Sequence, residues 1–155
     1  MTLELEVDAL KRVPLFRGID PAKLRLLAFI SELMSFRPGE RLCEQGERGD
    51  NAYIILTGEA DVVVETPQGP QTVARVRQHD VVGEIAILID VPRTASVVAS
   101  TELSALSISK DNFLKLLARF PEMSLEVMRV LAQRLERTTR DLASTSAVAQ
   151  GRAPS

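Results

Sequence analysis

The sequence predicts an α+β, mainly β, fold. The expected architecture is an antiparallel β-roll, a jelly-roll-like double-stranded β-helix, flanked by N-terminal helices and a long C-terminal helix. Helical hydrophobic periodicity covers residues 3–33 and returns over residues 109–142. Between them, residues 34–108 contain short apolar runs separated at regular intervals by Gly, Pro and Asp. Such regular turn signals are typical of an all-β roll or barrel.

The N-terminal helices are predicted from their ends. Residues 3–13 are amphipathic and precede Pro14, which ends the first helix. Asp20 followed by Pro21 is an N-cap with proline at the first helical position, and it predicts a second helix that continues to about Leu33.

The middle and the end of the chain follow from the same kind of signal. Two apolar runs, residues 62–64 and 72–76, lie on either side of a Pro/Gly-rich turn of five residues and predict a hairpin. Ser109 is a candidate N-cap for a helix to Arg119, and Phe120-Pro121 separates it from a long helix over residues 122–142.

Length and composition predict one domain. The chain has 155 residues, 45% hydrophobic and 26% charged, which suffices for one core. We expect this domain at residues 1–143, followed by a disordered polar tail at residues 144–155, STSAVAQGRAPS.

Charge and rare residues argue against several classes of function. A formal net charge of −2 lacks the basic excess that binding to a phosphate backbone needs. One cysteine, Cys43, and one histidine, His79, cannot form a Cys-rich metal site, and we interpret them as a small buried apolar residue and a turn residue. The acidic N-terminus does not resemble a signal peptide, and Glu84 and Asp90 interrupt the most apolar stretch. We expect a cytoplasmic protein without a membrane span.

The stretch with the most chemical information is VGEIAILIDVPRTAS, residues 82–96. Gly83 permits a tight turn, and the next five residues can form a short helix whose first N–H groups point at one spot. Arg93 follows Glu84 by nine positions and comes directly after Pro92, so a loop can bring its guanidinium to the same spot. This convergence predicts an anion site. Glu84 fits there if it accepts a hydrogen bond from a hydroxyl of the same ligand, as in a sugar phosphate; taken singly, the pair also fits a surface ion pair.

Residues 82–96 resemble the phosphate-binding cassette of the cyclic nucleotide-binding domain family. The family pattern is approximately FGE-[LI]-A-L, a short gap, and PR-x-A-[ST], with the same nine-residue step from Glu to Arg. Upstream, PGERLCEQGERGDNAYIILTGEADVVV is similar to the first strands of that family. The resemblance covers about residues 14–142. Val82 and His79 depart from it, because the family often has a larger apolar residue and a glycine at these positions.

The resemblance implies a non-enzymatic receptor for a cyclic nucleotide, with no metal and no further cofactor. It implies that Arg93 pairs with the cyclic phosphate and that Glu84 accepts from the ribose 2′-hydroxyl. The N–H groups of Gly83 and Ala95 would complete the phosphate cradle, and Thr94 would add a hydroxyl. The other implied contacts are two residues of the short helix and four valines along sugar and base: Ile85, Ala86, Val62, Val73, Val82 and Val97.

The long C-terminal helix resembles that of the catabolite-activator branch of the family, because Pro121 and RLERTT align without a gap. This alignment implies that Arg134, Thr138 and Thr139 meet the purine. Thr94 is compatible with guanine and the two helix threonines with adenine, so cAMP is favoured over cGMP. We find no counterpart of that branch's helix-turn-helix domain and expect no DNA binding by this chain alone.

The same helix carries an apolar seam of about two heptads. Its members alternate in steps of three and four: Met128, Leu131, Leu135, Thr138 and Leu142. The seam fits either packing on its own domain or a homodimer. Arginines are expected to form the solvated face: Arg129, Arg134, Arg137 and Arg140.

Two other functions compete with a receptor that relays ligand binding through this helix to an unknown partner. One is a ligand-free scaffold or dimerisation domain, against which the retained Gly83, Glu84, Arg93 and Ala95 argue. The other is a cupin-type metalloenzyme, which needs more histidines than the single one present.

Overall fold

The computed structural model describes residues 3–149, except for the side chains of residues 84, 85 and 144–149. It has the predicted architecture, a β-roll with helices before and after it. The helices are α1 (Leu3–Lys11), a 3₁₀ turn (Pro14–Phe16), α2 (Pro21–Ile30), α3 (Glu84–Leu88), α4 (Lys110–Arg119) and α5 (Pro121–Ala149). The strands are β1 (Glu32–Phe36), β2 (Arg41–Cys43), β3 (Asn51–Thr57), β4 (Ala60–Thr66), β5 (Gly69–Val76), β6 (Val81–Val82), β7 (Ser96–Ala99) and β8 (Leu103–Ser109).

The strands form two antiparallel four-stranded sheets, in the orders β1-β8-β3-β6 and β2-β7-β4-β5. Strand β3 is buried on both faces. Tyr53 and Ile55 belong to the apolar core inside the roll, which both sheets supply. Ala52, Ile54 and Leu56 alternate with them and belong to a second core, which the helices supply. The roll is therefore packed on the inside and covered by helices on one face.

The N-terminal helices follow the prediction up to residue 30. The Asp20 carboxylate accepts a hydrogen bond from the Ala22 N–H at 3.0 Å, which confirms the N-cap. The predicted continuation of this helix to Leu33 is wrong, because β1 begins at Glu32. Pairing of Leu33 with Leu106 in β8 outweighs the local helical pattern.

Strands β4 and β5 form the predicted hairpin, with a shorter connection than expected. Thr66 pairs with Gly69, which leaves two residues outside the strands instead of five. The Thr66 hydroxyl donates to the Gly69 carbonyl at 2.7 Å, and Gly69 has a φ of +105°. A side-chain hydrogen bond and a glycine in the left-handed region thus close the turn.

Ser109 caps α4, since its hydroxyl accepts from the Asn112 N–H at 3.2 Å. Helix α5 begins at Pro121 and continues to Ala149. The predicted tail is therefore wrong for residues 144–149, which are helical, while residues 150–155 lie outside the described chain. Neither Gly nor Pro interrupts this stretch, and extending an existing helix is far easier than starting one.

In residues 3–149, no helix combines the length and apolarity that a membrane crossing requires.

Candidate functional site

Gly83 forms the tight turn between β6 and α3. Its φ is +89°, in the region that favours glycine. A β-carbon at this position would overlap the Nη1 atom of Arg93 and lie 2.9 Å from the Asn51 carbonyl oxygen. The absence of a side chain at residue 83 thus lets the arginine approach the main chain that leads into α3.

The main chain around Arg93 is fixed by residues 46–48. The Arg93 N–H donates to the Glu47 carbonyl at 2.7 Å, and the Arg93 carbonyl accepts from the Gly46 N–H at 2.9 Å. Arg48 and Pro92 form an isolated antiparallel bridge. These links hold the loop after α3 against the segment between β2 and β3, so the arginine has a defined position.

The guanidinium of Arg93 is buried, with only 7% of the residue exposed. Its Nη2 donates to the Asn51 carbonyl at 2.6 Å, and its Nη1 donates to the Gly83 carbonyl at 3.2 Å. Its Nε is buried without a hydrogen-bond partner. Among the described side chains, no carboxylate forms a salt bridge with Arg93. A buried charge without a counter-charge is unfavourable, and an anionic ligand would relieve it.

The field of Arg93 reaches into the roll. Burial raises the pKa of the Cys43 thiol, and the positive charge of Arg93 opposes this shift. Burial likewise raises the pKa of the Tyr53 phenol, again opposed by Arg93. Both side chains belong to the core inside the roll, so the positive charge lies at the edge of that core.

Helix α3 is held against the loop before β3. Ala86 and Ile87 are buried. A β-carbon at Gly49 would overlap the side chain of Ala86, so only glycine permits this close approach. The five-residue helix thereby starts directly after Gly83, whose carbonyl accepts from Arg93.

These residues match a known family. The model of the cyclic nucleotide-binding domain matches residues 33–120, more than half of the chain. The chain belongs to the cyclic nucleotide-binding domain family. Residues 82–96, which resemble the cassette of this family, lie inside the matched range and are called the cassette below.

Three similar proteins illustrate the range of this family. The chain is 33% identical over 137 residues to the CRP-like cAMP-activated global transcriptional regulator of Mycobacterium tuberculosis, covering 88% of this chain and 61% of that protein. The Thermus thermophilus catabolite activator protein matches with a TM-score of 0.78 and 25% identity, over 86% of this chain and 63% of that one. The guanosine-bound regulatory subunit of a cAMP-independent protein kinase A from Trypanosoma cruzi matches with a TM-score of 0.75 and 27% identity, over 94% of this chain and 50% of that one. The chain spans about three-fifths of the length of the first relative.

The structure brings two groups of the predicted site residues of this cyclic nucleotide-binding domain together, Gly83 with Arg93 and three of the four valines with one another. Val82 and Val97 are buried in the core of the roll, and Val62 packs against them and pairs with Val97 across β4 and β7. Ala95 is half-buried and Thr94 is exposed. Val73 is 60% exposed and is not part of this core. The side chains of Glu84 and Ile85 are not among those that the structure describes, so their predicted roles stay predictions.

The predicted contact residues on α5 are far from the cassette in sequence, and they lie on the surface of the helix. Thr138 and Thr139 are exposed. Arg134 is exposed as well and lines a cleft of about 70 Å³ that the 3₁₀ turn, α5 and the turn before β6 form. His79, at the top of that turn, has a φ of +73°, which fits its interpretation as a turn residue.

Three further positions have a structural role at the site and were not among the predicted contact residues. Asn51 supplies the carbonyl that holds Arg93, and Gly49 makes room for α3. The buried Ser96 hydroxyl accepts from Arg41 Nη1 at 3.0 Å and from the Gln45 N–H at 2.9 Å. For this loop the sequence shows the turn signals Gly46 and Gly49-Asp50 but not the contacts that these residues make.

The described residues contain no group of three or more His, Cys, Asp and Glu that could hold a metal ion.

Proposed function

We propose that this chain is a non-enzymatic receptor for a cyclic nucleotide and that it prefers cAMP. The observation that carries the proposal is the buried guanidinium of Arg93, oriented by two main-chain carbonyls and paired with none of the described carboxylates. Such a group is a fixed cation for a small anion. The family supplies the anion, a cyclic phosphate.

The proposed contacts divide among the phosphate, the ribose and the base. The phosphate accepts from Arg93 and from the N–H groups of Gly83 and Ala95, while Glu84 accepts from the ribose 2′-hydroxyl. Ile85 and Ala86 belong to the first turn of α3, whose N-terminus faces the phosphate in this proposal. Val62, Val82 and Val97 form an apolar wall for sugar and base. Val73, which is exposed on β5 outside this core, is left out of the proposed wall.

The preference for cAMP rests on α5 and on the relatives. Thr138 and Thr139 are exposed polar groups available to adenine, with Arg134 one turn earlier. The relative from M. tuberculosis is named for activation by cAMP. The relative from T. cruzi holds guanosine, so a nucleoside without phosphate is the second candidate. The two candidates differ in their need for Arg93, because guanosine has no anionic group.

Calorimetric titration with cAMP, cGMP and guanosine tests the ligand. In Arg93→Lys the charge remains but the forked donor is lost, so we expect weaker cAMP binding; Arg93→Ala should lose about 2 to 4 kcal/mol, or about 30- to 900-fold in affinity. Arg129→Lys, an exposed arginine paired with Glu126, is the matched control and should bind like the parent. Equal affinity of Arg93→Lys, Arg93→Ala and the control would reject the phosphate site.

The sugar contact has a test that leaves the fold untouched. A 2′-deoxy cyclic nucleotide should bind the parent more weakly than the ribonucleotide, and Glu84→Gln should largely remove this difference because the charged acceptor is gone. An unchanged 2′-deoxy penalty in Glu84→Gln would assign the sugar contact to another residue.

We further propose that α5 is the output element and joins a second copy of the chain. Leu125, Met128, Leu135 and Leu142 are exposed on α5, with Leu135 at 68%. They follow one heptad stripe, whereas Leu131 packs on the core of its own domain. An exposed heptad stripe on a 29-residue helix fits a coiled-coil partner better than solvent.

Sedimentation of the full chain tests whether it forms a dimer. Leu135→Glu places a charge in the stripe and should shift the chain toward monomer. Gln133→Glu adds the same charge at an exposed position off the stripe and should not. A monomeric parent, or equal shifts in both variants, would reject the dimer. If no cyclic nucleotide binds a dimeric parent, the chain is a scaffold that retains the fold.

A further inference from the structure

We propose that Lys110 is a positioning residue that holds the cassette against the start of α4 and thereby keeps Arg93 in place for the ligand. The inference rests on the proposed function, since it concerns the same site. The observations that carry it are one side-chain contact and one main-chain contact of Lys110, which converge on Arg93 from two directions.

The side-chain contact reaches the cassette. The Lys110 ammonium donates to the Asp90 carboxylate at 2.9 Å, and the two residues are 20 positions apart. Asp90 has a φ of +51°, a left-handed conformation that is uncommon for a non-glycine residue. The hydrogen bond and charge of Lys110 hold the pKa of Asp90 below its usual value. Asp90 precedes Arg93 by three residues, so this contact fixes the loop that carries the arginine.

The main-chain contact reaches the other side of the guanidinium. The Lys110 N–H donates to the Asp50 carbonyl at 2.7 Å. The next carbonyl along the chain, that of Asn51, accepts from Arg93 Nη2 at 2.6 Å. Lys110, Asp50-Asn51, Arg93 and Asp90 thus form a closed ring of contacts. A change at any member alters the restraint on Arg93.

The ring also links the site to the C-terminal helices. Lys110 is the first residue of α4, directly after its cap Ser109. Phe113 and Leu116 anchor α4 in the helical core, and the Ser124 hydroxyl of α5 donates to the Leu117 carbonyl of α4 at 3.0 Å. Movement of the cassette on ligand binding would therefore act on α4 at its first residue.

The test compares two lysines of the same helix. Lys110→Met removes the ammonium but keeps the main-chain bond to Asp50, and Lys115→Met makes the same change at an exposed position of α4. In titrations with cAMP at low salt, Lys110→Met should bind about three- to fivefold more weakly than the parent, and Lys115→Met should match the parent. Lys110→Arg should restore affinity. High salt should reduce the difference, because it screens an exposed ion pair.

A double-mutant cycle identifies the partner. Asp90→Asn keeps a side chain that tolerates positive φ and should weaken binding as much as Lys110→Met does. The double variant should be no weaker than either single variant. Provided that the parent binds cAMP, two results would overturn this inference but not the proposed function. They are additive losses in the double variant, and equal affinities of Lys110→Met and Lys115→Met for cAMP. A parent that binds neither cAMP nor cGMP would reject the proposed function and this inference with it.

Discussion

Replacement of Gly83 by alanine probes the contact between the turn and Arg93. Two effects act at this position. The φ of +89° is unfavourable for any residue with a β-carbon, and that carbon would overlap Arg93 Nη1 and approach the Asn51 carbonyl to 2.9 Å. The guanidinium would have to move away from one or both of its acceptors.

The two effects can be separated with a second glycine. Gly18 has a φ of +81°, and a β-carbon there would meet nothing within 4 Å, so Gly18→Ala shows the backbone term alone. That term is about 1 to 2 kcal/mol in the free energy of unfolding. Displacement of Arg93 adds the loss of a hydrogen bond from a charged group, about 1.5 to 3 kcal/mol. Gly83→Ala should therefore destabilise by about 2.5 to 5 kcal/mol in total.

Urea denaturation of the parent and both variants measures these differences. Per kcal/mol, the midpoint of thermal unfolding should also fall by about 2 to 4 °C for a chain of this size. In addition, Gly83→Ala should weaken binding of cAMP, and Gly18→Ala should not. If the two variants lose the same free energy of unfolding and bind cAMP equally well, a β-carbon at residue 83 does not displace Arg93 and the reasoning is wrong.

Three further predictions concern the loop before β3, the roll and a helix cap. Gly49→Ala should displace α3 because the added β-carbon would overlap Ala86. The loss in the free energy of cAMP binding, measured by titration, should exceed the loss in the free energy of unfolding, measured by urea denaturation. Burial raises the pKa of Cys43 above 9.0, so the folded chain holds the thiol proton more tightly than the unfolded chain. Stability should therefore decrease as the pH rises through 9.0 toward the folded pKa, and Cys43→Ala should reduce this slope in denaturation experiments at about pH 8 to 10. Ser109→Ala should destabilise the chain by about 1 kcal/mol through loss of the α4 cap, and an unchanged midpoint would contradict this.

The parts of the fold that the sequence predicts well depend on neighbouring residues. The caps at Asp20 and Ser109 act over two or three positions, and both are present. The turn at Gly83 and the short helix after it likewise depend on local conformation. Arg93 could be predicted as a site residue because a long local pattern, rather than the single residue, pointed to it.

The parts that the sequence does not predict depend on residues far apart in the chain. One of the two acceptors for Arg93 is a main-chain carbonyl 42 positions away, and a carbonyl has no signature in the sequence. The start of β1 at Glu32 is decided by pairing with β8, against a local helical pattern. The close approach of Gly49 to Ala86 also follows only from the packed roll.

The seam of α5 shows how a correct period can have an incorrect phase. The sequence groups Leu131 and Leu135 in one stripe, but Leu131 packs on its own core while Leu135 is exposed. The exposed stripe instead continues from Leu125 through Met128 to Leu135 and Leu142. A helix with apolar residues on two adjacent faces gives one period and two possible phases, and only the docking of the helix distinguishes them.

Among the described groups, main-chain carbonyls rather than carboxylates contact the buried guanidinium of Arg93, and the proposed function offers a reason. A carboxylate partner would neutralise the guanidinium and improve stability, but it would also compete with an anionic ligand for the same donors. The carbonyls of Asn51 and Gly83 orient the group without neutralising it. If the chain binds a cyclic phosphate as proposed, the ligand meets a cation that is already in position and loses less affinity to ordering the site. In the proposed receptor, the site thus gives up some folding stability for a fixed positive charge, which is the property that recognition of a small phosphate requires.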